Sequence, residues 1–368
     1  REARKSLAAA LAALRSSGSQ PSALNSQLKV WQTESAKLWE VPHAAPGTPL
    51  VHACVTRHSK DAASAWAKLW SEADRALHSR ENQLPADWLT RAEGALAAVK
   101  VPGWPLFSLF AGRNLASPGM TKASLLGVPV SAKGFQSIID RKEEIALVFD
   151  ATSAMDHQKH APVLKELGLV AVDLTPAKVG RMCVPAVNLA ECLTEPNVNM
   201  ITCGGQASIP IAYAIRSANP GVEYLEAVSS IASRSAGPAT RINLDEYLQT
   251  TEQGLQLFGG CPRTKAILNL NPAQPCVHMQ TTVMARIAQP DLARTRAAVA
   301  EMVARIRTYI PGYQLILEPI VENGRLVAMV RVEGLGDYLP RYAGNLDIIN
   351  CAAIAFAEAY ARQRTAQN

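Results

Sequence analysis

The sequence predicts an α/β fold: a Rossmann-like parallel sheet domain, an α+β domain and an N-terminal helical extension. In the middle of the chain, short apolar runs alternate with helical patterns, which is typical of a parallel sheet with right-handed crossovers. Further on, two apolar runs flank Asn323-Gly324, a strong hairpin signal. A chain of 368 residues is long enough for two cores. We expect the extension at 1–44, the Rossmann-like domain at 45–202, completed by 343–368, and the α+β domain at 203–342.

The front of the chain is predicted to be helical and distinct from the rest. All six tryptophans lie at or before residue 104, and six of the seven cysteines lie after it. Leu7, Leu11 and Leu14 fall on one helical face. The predicted order is a helix over 1–15, a linker over 16–22, a helix over 24–40 and a Pro/Gly break over 42–49.

The α/β rhythm follows this break. Four apolar runs predict strands at 50–55, 106–111, 145–150 and 170–174. Between the first two runs we expect a helix at 60–78 and a helical and loop-like insertion at 80–103. Ligands of such sheets bind at the carboxyl ends of the strands, so candidate residues are sought there.

The C-terminal part predicts mixed strands and two helices. The strands are expected at 222–231, 266–270, 314–321 and 325–332, and the helices at 290–308 and 346–363. The last helix is expected to pack back on the first domain.

Composition excludes several classes of function. The net charge of +6 comes from scattered basic residues, so a nucleic-acid surface is not indicated, whereas an anionic nucleotide or CoA thioester would suit it. No apolar run has the length of a membrane span. The seven cysteines include no C-x-x-C pair, which predicts neither a disulfide framework nor a structural zinc site. We therefore expect a reducing, cytoplasmic location.

The most informative stretch is the pentapeptide 203–207, Cys-Gly-Gly-Gln-Ala, at the junction of an apolar strand and a helix. Unpaired backbone N–H groups and the helix dipole at such a junction favour the thiolate of Cys203, which is the nucleophilic form. Gly204 and Gly205 let the backbone approach a bound carbonyl, so its N–H groups could hold an oxyanion. The alternative is a small buried cysteine at a helix start.

Residues 145–362 closely resemble the acylating acetaldehyde dehydrogenases that work beside 4-hydroxy-2-oxovalerate aldolases. The matching strings stand in order along more than half of the chain. They are 149–154 (FDATSA), 173–177 (DLTPA), 184–189 (VPAVNL), 199–207 (NMITCGGQA), 233–241 (SRSAGPATR), 270–273 (LNPA) and 338–348 (YLPRYAGNLDI).

The resemblance implies the chemistry and the residues that perform it. Cys203 attacks the aldehyde, the hemithioacetal gives a hydride to NAD or NADP, and the acyl group passes to coenzyme A. Cys203, Gly204 and Gly205 are then catalytic, and the second domain is catalytic and forms the dimer. The implied cofactor-binding residues are Thr152, Ser153, Ser235, Ala236, Gly237, Pro238, Thr240, Arg241, Asn243 and Asn345. An aldolase partner and a homodimer are also implied. From the residues alone, the alternative for 235–238 is an ordinary surface loop, and Asn345 is favoured as a helix cap.

The first departure from the family is the phosphate loop. Family members have a glycine-rich G-x-G-x-x-G turn after their first strand, where the pyrophosphate meets a helix N-terminus. Here the predicted strand at 50–55 is followed by residues 56–61, which contain no glycine. Either Arg57, His58 and Lys60 bind phosphate in another geometry, or dinucleotide binding is weakened or lost.

The second departure concerns the adenosine ribose. Asn114 stands where the family carries an acidic residue, and Arg113 precedes it. Loss of the carboxylate removes repulsion of a 2′-phosphate, and Arg113 could pair with that phosphate, so NADP is slightly favoured. The alternative is drift in a site that binds nothing.

The third departure concerns activation of the cysteine. Thr281 occupies the position of the family's aspartate, ten residues after the Asn-Pro pair. Since threonine is not a base near neutral pH, Cys203 would depend on the helix dipole or on His278.

The run 156–160, Asp-His-Gln-Lys-His, places two imidazoles three residues apart on a predicted helix. That spacing permits metal binding, but no third ligand is evident, and we interpret the run as a solvated helix face.

The sequence thus predicts a CoA-acylating aldehyde dehydrogenase. The alternatives are a non-redox acyl-thioester transferase or hydrolase, and a catalytically silent partner subunit that has lost dinucleotide binding.

Overall fold

The computed structural model describes residues 2–16, 21–41, 47–78, 83–97, 99, 107–336 and 338–367. The chain divides into two compact units, Arg1–Arg141 and Lys142–Asn368, which we call unit 1 and unit 2. Most of the predicted linker (17–20) and of the predicted Pro/Gly break (42–46) lie outside the described residues. No helix within the described ranges is long and apolar enough to cross a membrane.

Unit 1 is largely helical, as the sequence predicts for the front of the chain. Its helices are α1 (Glu2–Ser16), α2 (Pro21–Leu38), α3 (Thr48–His58), α4 (Lys60–His78), α5 (Trp88–Ala97), α6 (Pro118–Leu125) and α7 (Gln136–Asp140). Two short parallel strands, β1 (Phe110–Ala111) and β2 (Val130–Ser131), complete it.

Aromatic rings form the core of the α1–α5 bundle. Trp31 stacks on Trp66 with ring centroids 5.9 Å apart, and Trp88 meets Trp31 edge-on at 4.9 Å. The predicted apolar face of α1 is confirmed, because Leu7, Leu11 and Leu14 are all buried in this cluster. We call the cluster of Trp31, Trp39, Trp66, Trp70 and Trp88 the tryptophan core.

The predicted strand at 50–55 is wrong, because the segment forms part of α3. Pro49 stands in the first turn of that helix, two residues after Gly47 at its N-cap, and Pro is favoured in the first turn of a helix. Val51, Cys54 and Val55 are buried, which is the i, i+3, i+4 spacing of a helix. A short continuous apolar run does not separate a buried strand from a buried helix.

Unit 2 begins with a four-stranded sheet, in which every pairing is parallel and the strand order is β3-β4-β6-β5. The sheet confirms the α/β prediction and the strands predicted at 145–150 and 170–174. Its elements are β3 (Leu147–Asp150), α8 (Ala154–Glu166), β4 (Val170–Asp173), β5 (Arg181–Met182), α9 (Pro185–Cys192) and β6 (Asn197–Asn199).

Polar residues stand in register at the carboxyl edge of this sheet. Asp150 on β3 is paired with Asp173 on β4, and Asp173 with Asn199 on β6. All three are buried. Helix α14 (Gly344–Gln367) packs against the same sheet, where Phe356 joins Val172 and Val198, as predicted for the last helix.

The second sheet of unit 2 has the strand order β10-β11-β9-β7-β8 and is antiparallel except between β7 and β8. One face is covered by α10, α12 and α13, whose apolar residues share a core with the strands. The elements are α10 (Cys203–Ala218), β7 (Tyr224–Ala232), α11 (Pro238–Ile242), α12 (Leu244–Gly259), β8 (Thr264–Asn271), β9 (Met279–Arg286), α13 (Leu292–Arg307), β10 (Tyr313–Glu322) and β11 (Arg325–Val332). The predicted hairpin and α+β character are confirmed. The predicted domain spans 1–44, 45–202 and 203–342 stay predictions.

Candidate active site

The strand-to-helix junction at Cys203 forms as the sequence predicts. Strand β6 ends at Asn199, and Thr202 caps α10 by accepting a hydrogen bond from the N–H of Gly205 at 2.8 Å. Threonine is a preferred N-cap because its hydroxyl satisfies one of the free N–H groups of the first turn. Cys203 is therefore the first residue of α10, at the positive end of the helix.

The backbone before Cys203 is strained. Ile201 has φ +64°, a left-handed conformation that a β-branched residue seldom adopts. The side chain of Asn199 supports it by accepting the N–H of Ile201 at 2.9 Å. Gly205 is needed opposite, since a Cβ there would lie 2.7 Å from the Ile201 side chain. These contacts fix the position of the backbone at the start of α10.

Tyr247, on the first turn of α12, is the side chain that contacts the sulfur of Cys203. Its hydroxyl oxygen lies 3.6 Å from Sγ and accepts the N–H of Gly204 at 3.0 Å. Sequence reasoning missed this residue, which stands 44 positions further along the chain. The one local signal is its place in the turn after Asn243, inside the segment that resembles the family.

Burial raises the pKa of Cys203, although hydrogen bonds from Tyr247 and from the Gly204 N–H oppose the rise. This rise is opposite to the stabilisation of the Cys203 thiolate that the sequence predicts from the helix dipole alone. A carboxylate or thiolate at a helix start gains from the dipole, but loss of solvation acts on the same group and dominates here. The thiolate therefore depends on the groups that donate hydrogen bonds to it.

Thr281 is fully buried on β9, opposite Ser229 of β7, and their hydroxyl oxygens are 2.9 Å apart. Ser229 lies close to the helix start, because a Cβ on Gly204 would be 3.0 Å from its hydroxyl oxygen. Thr281 is thus connected to the start of α10 through the hydroxyl of Ser229. His278, the other predicted partner, has its Nδ1 3.3 Å from the carbonyl oxygen of Arg341.

A buried ionic network occupies the carboxyl edge of the parallel sheet. The Nδ1 atoms of His157 and His160 lie 2.9 and 2.8 Å from Oδ2 of Asp150, and Nε2 of His157 lies 3.5 Å from Oδ2 of Asp173. Asp173 also accepts the amide of Asn199 at 2.7 Å. The interpretation of 156–160 as a solvated face is therefore wrong for His157, which is fully buried because two strand ends present carboxylates to it. Within the described ranges, no His, Cys, Asp and Glu group fits a metal ion.

The ionisation of the network follows from its contacts. Burial opposes the charged form of Asp150, but hydrogen bonds from His157, Thr152 and His160 hold the pKa of its carboxyl well below the ordinary value. Burial likewise opposes protonation of His157, but the Asp150 hydrogen bond and the Asp173 charge raise its pKa. Burial raises the pKa of Asp173 to about 6. The raised pKa favours the protonated form of His157 between the carboxylates of β3 and β4.

Thr152 and Ser153 make local hydrogen bonds after β3. The N–H and hydroxyl of Thr152 donate to Oδ1 of Asp150, at 3.1 and 2.5 Å. Ser153 caps α8, since its oxygen accepts the N–H of Asp156 at 3.1 Å. Both residues stand at the ligand-binding edge of the sheet, as predicted, and their role toward a cofactor stays a prediction.

The segment 235–243 and Asn345 are brought together. Nδ2 of Asn345 donates to the carbonyl of Ser235 at 3.3 Å, while its Oδ1 is buried and has no partner among the described residues. A Cβ on Gly237 would meet nothing within 4 Å, so this turn borders open space.

Four other predicted residues of the segment have places in the turn or in the helices that follow it, and these places assign no role toward a cofactor. Arg241 holds the turn, since its guanidinium donates to the carbonyls of Ala236 and Ser233 at 3.1 Å each. Asn243 is the residue before α12, and Thr240 lies within α11 with Pro238 at its start.

Arg113 and Asn114 follow β1 in unit 1, and both are exposed. Oδ1 of Asn114 accepts the N–H of Ala116 at 2.9 Å, so this side chain closes a turn before α6. The strand expected to precede a phosphate loop is helix α3, and residues 56–58 are its last turn. A strand followed by a glycine-rich turn is therefore absent from the described part of unit 1.

Comparison with known proteins gives consistent matches. Residues 203–340 match the family model for the dimerisation domain of prokaryotic acetaldehyde dehydrogenase. The acetaldehyde dehydrogenase of Spirochaeta aurantia is 59% identical over 253 residues, covering 69% of this chain and 85% of the relative. That of Pectobacterium atrosepticum is 57% identical over 253 residues, covering 68% of this chain and 86% of the relative. Among solved structures, aspartate semialdehyde dehydrogenase II of Vibrio cholerae, complexed with ASA, matches with a TM-score of 0.46 at 13% identity, covering 64% of this chain and 82% of that one.

Proposed function

The chain belongs to the acetaldehyde dehydrogenase family and is an oxidoreductase, and we propose that it converts a short aldehyde and coenzyme A to an acyl-CoA through a thioester on Cys203. The observation that carries this proposal is the placement of Cys203 as the first residue of α10, half-buried, with Tyr247 against its sulfur. A nucleophilic thiolate at a helix start is the arrangement that thioester chemistry requires.

The proposed reaction has two stages at Cys203. The thiolate adds to the aldehyde carbon, and the resulting hemithioacetal oxygen takes negative charge. The N–H groups of Gly204 and Gly205, which the sequence suggests for this oxygen, are bonded to Tyr247 and Thr202 in the structure. A bound nicotinamide supplies the chemistry of a hydride acceptor. Loss of hydride from the hemithioacetal carbon leaves an acyl thioester, and the thiolate of coenzyme A then displaces Cys203 and carries the acyl group away.

The residues fit the nicotinamide end of a dinucleotide. Oδ1 of Asn345 is a buried acceptor with no partner among the described residues, and it lies beside Ser235 and the open space at Gly237. Buried polar atoms are normally paired, so a buried acceptor without a partner favours a ligand donor such as a carboxamide. In this proposal Asn345 orients the nicotinamide, and Arg241 holds the turn through the carbonyls of Ala236 and Ser233.

The preference between NAD and NADP is proposed from two residues of unit 1 alone. Arg113 is exposed, and neither it nor Asn114 brings a carboxylate that would repel a 2′-phosphate. We expect NADP to be accepted at least as well as NAD. Thr152 and Ser153, at the carboxyl edge of the parallel sheet, are proposed to border the dinucleotide.

The match of 203–340 to a dimerisation domain supports a homodimer. The proposed interface is the second sheet of unit 2, where Ile267 on β8 and Ile316 and Val321 on β10 are exposed. Exposed apolar residues on one sheet favour association with another surface. An aldolase partner is proposed from the family resemblance, and a cytoplasmic location from the absence of disulfides among the seven cysteines.

The test is to incubate the protein with a short aldehyde, coenzyme A and either NAD or NADP, following absorbance of the reduced cofactor. We expect turnover that Cys203→Ala lowers at least about 1,000-fold, since removing a nucleophile has effects of that size or more. Cys276→Ala is the matched control, because Cys276 is also half-buried but lies in the segment before β9. Full activity in Cys203→Ala would contradict the thioester mechanism.

The alternatives give different results in the same experiment. If no aldehyde is oxidised, the protein is incubated with acyl-CoA alone, and the Cys203 peptide is examined by mass spectrometry. An acyl adduct on Cys203 would replace the redox proposal by acyl transfer or hydrolysis. Absence of both turnover and adduct would indicate a catalytically silent subunit.

A further inference from the structure

Hydroxyl groups connect the N-terminal part of α12 to the start of α10. The hydroxyl of Thr251 donates to the carbonyl of Tyr247 at 2.7 Å, and its oxygen is 2.7 Å from that of Thr202. Thr202 in turn accepts the N–H of Gly205. Because Tyr247 and Thr251 are four residues apart, they lie on one face of α12, the face toward Cys203.

Gly204 makes room for the tyrosine. A Cβ at this position would lie 2.2 Å from the hydroxyl oxygen of Tyr247, a distance that no real contact allows. The glycine therefore lets the phenol reach both the backbone and the sulfur beside it. Tyr247 is buried, so its hydroxyl is held at this place rather than in solvent.

The direction of the hydrogen bonds follows from donor chemistry. The tyrosine oxygen accepts the Gly204 N–H at 3.0 Å, which leaves the O–H proton free to be donated elsewhere. The sulfur of Cys203 lies 3.6 Å away. A thiolate has no proton, so between these two groups only the tyrosine can be the donor once Cys203 is ionised.

We propose that Tyr247 is a further catalytic residue, which stabilises the Cys203 thiolate by donating its phenolic hydrogen bond to the sulfur. The role of this thiolate as the nucleophile rests on the proposed function. Burial raises the pKa of Tyr247 well above its ordinary value, so the phenol keeps the proton that this role requires. Two further hydroxyls near the junction, those of Ser229 on β7 and Thr281 on β9, pair with each other and carry no charge.

The test measures the pKa of Cys203 itself. Protein is treated with iodoacetamide across a range of pH, and carbamidomethylation of the Cys203 peptide is quantified by mass spectrometry. In this reaction the thiolate forms the S–C bond and iodide leaves. In Tyr247→Phe we expect the apparent pKa to rise by about one unit, and alkylation near neutral pH to be about tenfold slower, since a hydrogen bond to a charged group has that effect.

Tyr313→Phe is the matched control. The hydroxyl of Tyr313 also donates to α10, to the carbonyl of Ala207 at 2.6 Å, and it is fully buried, but among the described hydrogen bonds it makes none to Cys203. This variant should leave the alkylation profile unchanged. An unchanged profile in Tyr247→Phe, or an equal shift in both variants, would overturn the proposal.

A second variant covers the case in which Tyr247→Phe fails to fold. Incorporation of 3-fluorotyrosine at 247 retains the hydroxyl and makes it a stronger donor, so the pKa of Cys203 should fall; a rise or no change would contradict the proposal. Neither measurement needs aldehyde, coenzyme A or a nicotinamide. Failure of the dehydrogenase assay is therefore distinguishable from failure of the role assigned to Tyr247.

Discussion

In unit 1 the largest buried side chains are indole rings, whereas the core of unit 2 is mostly aliphatic and a buried charged network lies at one edge of its parallel sheet. The rings of Trp31, Trp66 and Trp88 pack on one another in the helical bundle. In unit 2, Asp150 and Asp173 are buried around His157 at the edge of a parallel sheet. Aromatic rings stabilise a core through the apolar area they bury and through dispersion, and these interactions do not fix one orientation of the side chains. A buried ionic network requires each partner at a defined position.

Polar contacts continue from this network to the segment before Cys203. Asp173 holds the amide of Asn199, whose oxygen holds the N–H of Ile201, two residues before Cys203. The chain of contacts connects the carboxyl ends of two strands to the strained residue that starts the turn into α10. We infer that unit 2 maintains the position of Cys203 with polar groups, and that the tryptophan core serves the stability of unit 1.

The largest effect on stability is expected in the tryptophan core. Trp66→Ala removes a fully buried ring that stacks on Trp31 and meets Trp39 edge-on at 5.3 Å, so unit 1 should lose about 3–5 kcal/mol of unfolding free energy. Trp66→Phe is the control, because the indole N–H has no partner in the described bundle and its loss leaves none unpaired. Hydrogen exchange read by mass spectrometry should show faster exchange in α2 and α4, with α10 unchanged. Faster exchange in α10 would contradict the inference that the tryptophan core serves the stability of unit 1.

The next effect is expected at the ionic network. His157→Gln leaves two buried carboxylates without their cation, which should lower the unfolding free energy of unit 2 by about 3 kcal/mol. This is the low end for a broken buried pair, because Asp173, with a pKa raised by burial to about 6, can take up a proton instead. Exchange in β3 and β4 should increase while α4 stays as in the wild type. His278→Gln, a substitution outside the network, is the control.

The same variant gives a prediction for pH. The raised pKa of His157 stabilises the fold below its unfolded value, and that contribution is lost as pH rises through the folded pKa. The lowered pKa of Asp150 stabilises above its unfolded value and is lost as pH falls through the folded one. Wild-type unit 2 should lose stability on the alkaline side of the His157 titration, and His157→Gln should not. Equal pH profiles for the two proteins would contradict a charged His157.

The smallest effect is expected at Thr281. Thr281→Val removes a hydroxyl that pairs with Ser229, which should lower the unfolding free energy by about 1 kcal/mol and kcat by less than about tenfold. Thr281→Ser keeps the hydroxyl and should resemble the wild type. A hundredfold lower kcat in the valine variant, restored by serine, would show that Thr281 takes part directly in the reaction.

Local patterns in the sequence predicted what local physics determines. The junction at Cys203 was identified because an apolar strand, a cysteine, two glycines and a helical run stand in order. The strand at 50–55 was wrong, since an apolar run of that length suits a buried helix equally well. Tyr247 and the burial of His157 were missed because both depend on contacts between segments distant in sequence. The thiol pKa was predicted in the wrong direction for the same reason: sequence shows the helix start but not the loss of solvent around it.

The distribution of tryptophans also determines which part of the molecule is followed by intrinsic fluorescence. All six tryptophans of the chain lie at or before residue 104, within unit 1, and unit 2 contains none. Tryptophan fluorescence excited selectively therefore originates from unit 1 and does not report directly on unit 2. A single tryptophan placed in unit 2, for example by Phe258→Trp beneath α10, would add an emission signal that originates from that half of the molecule.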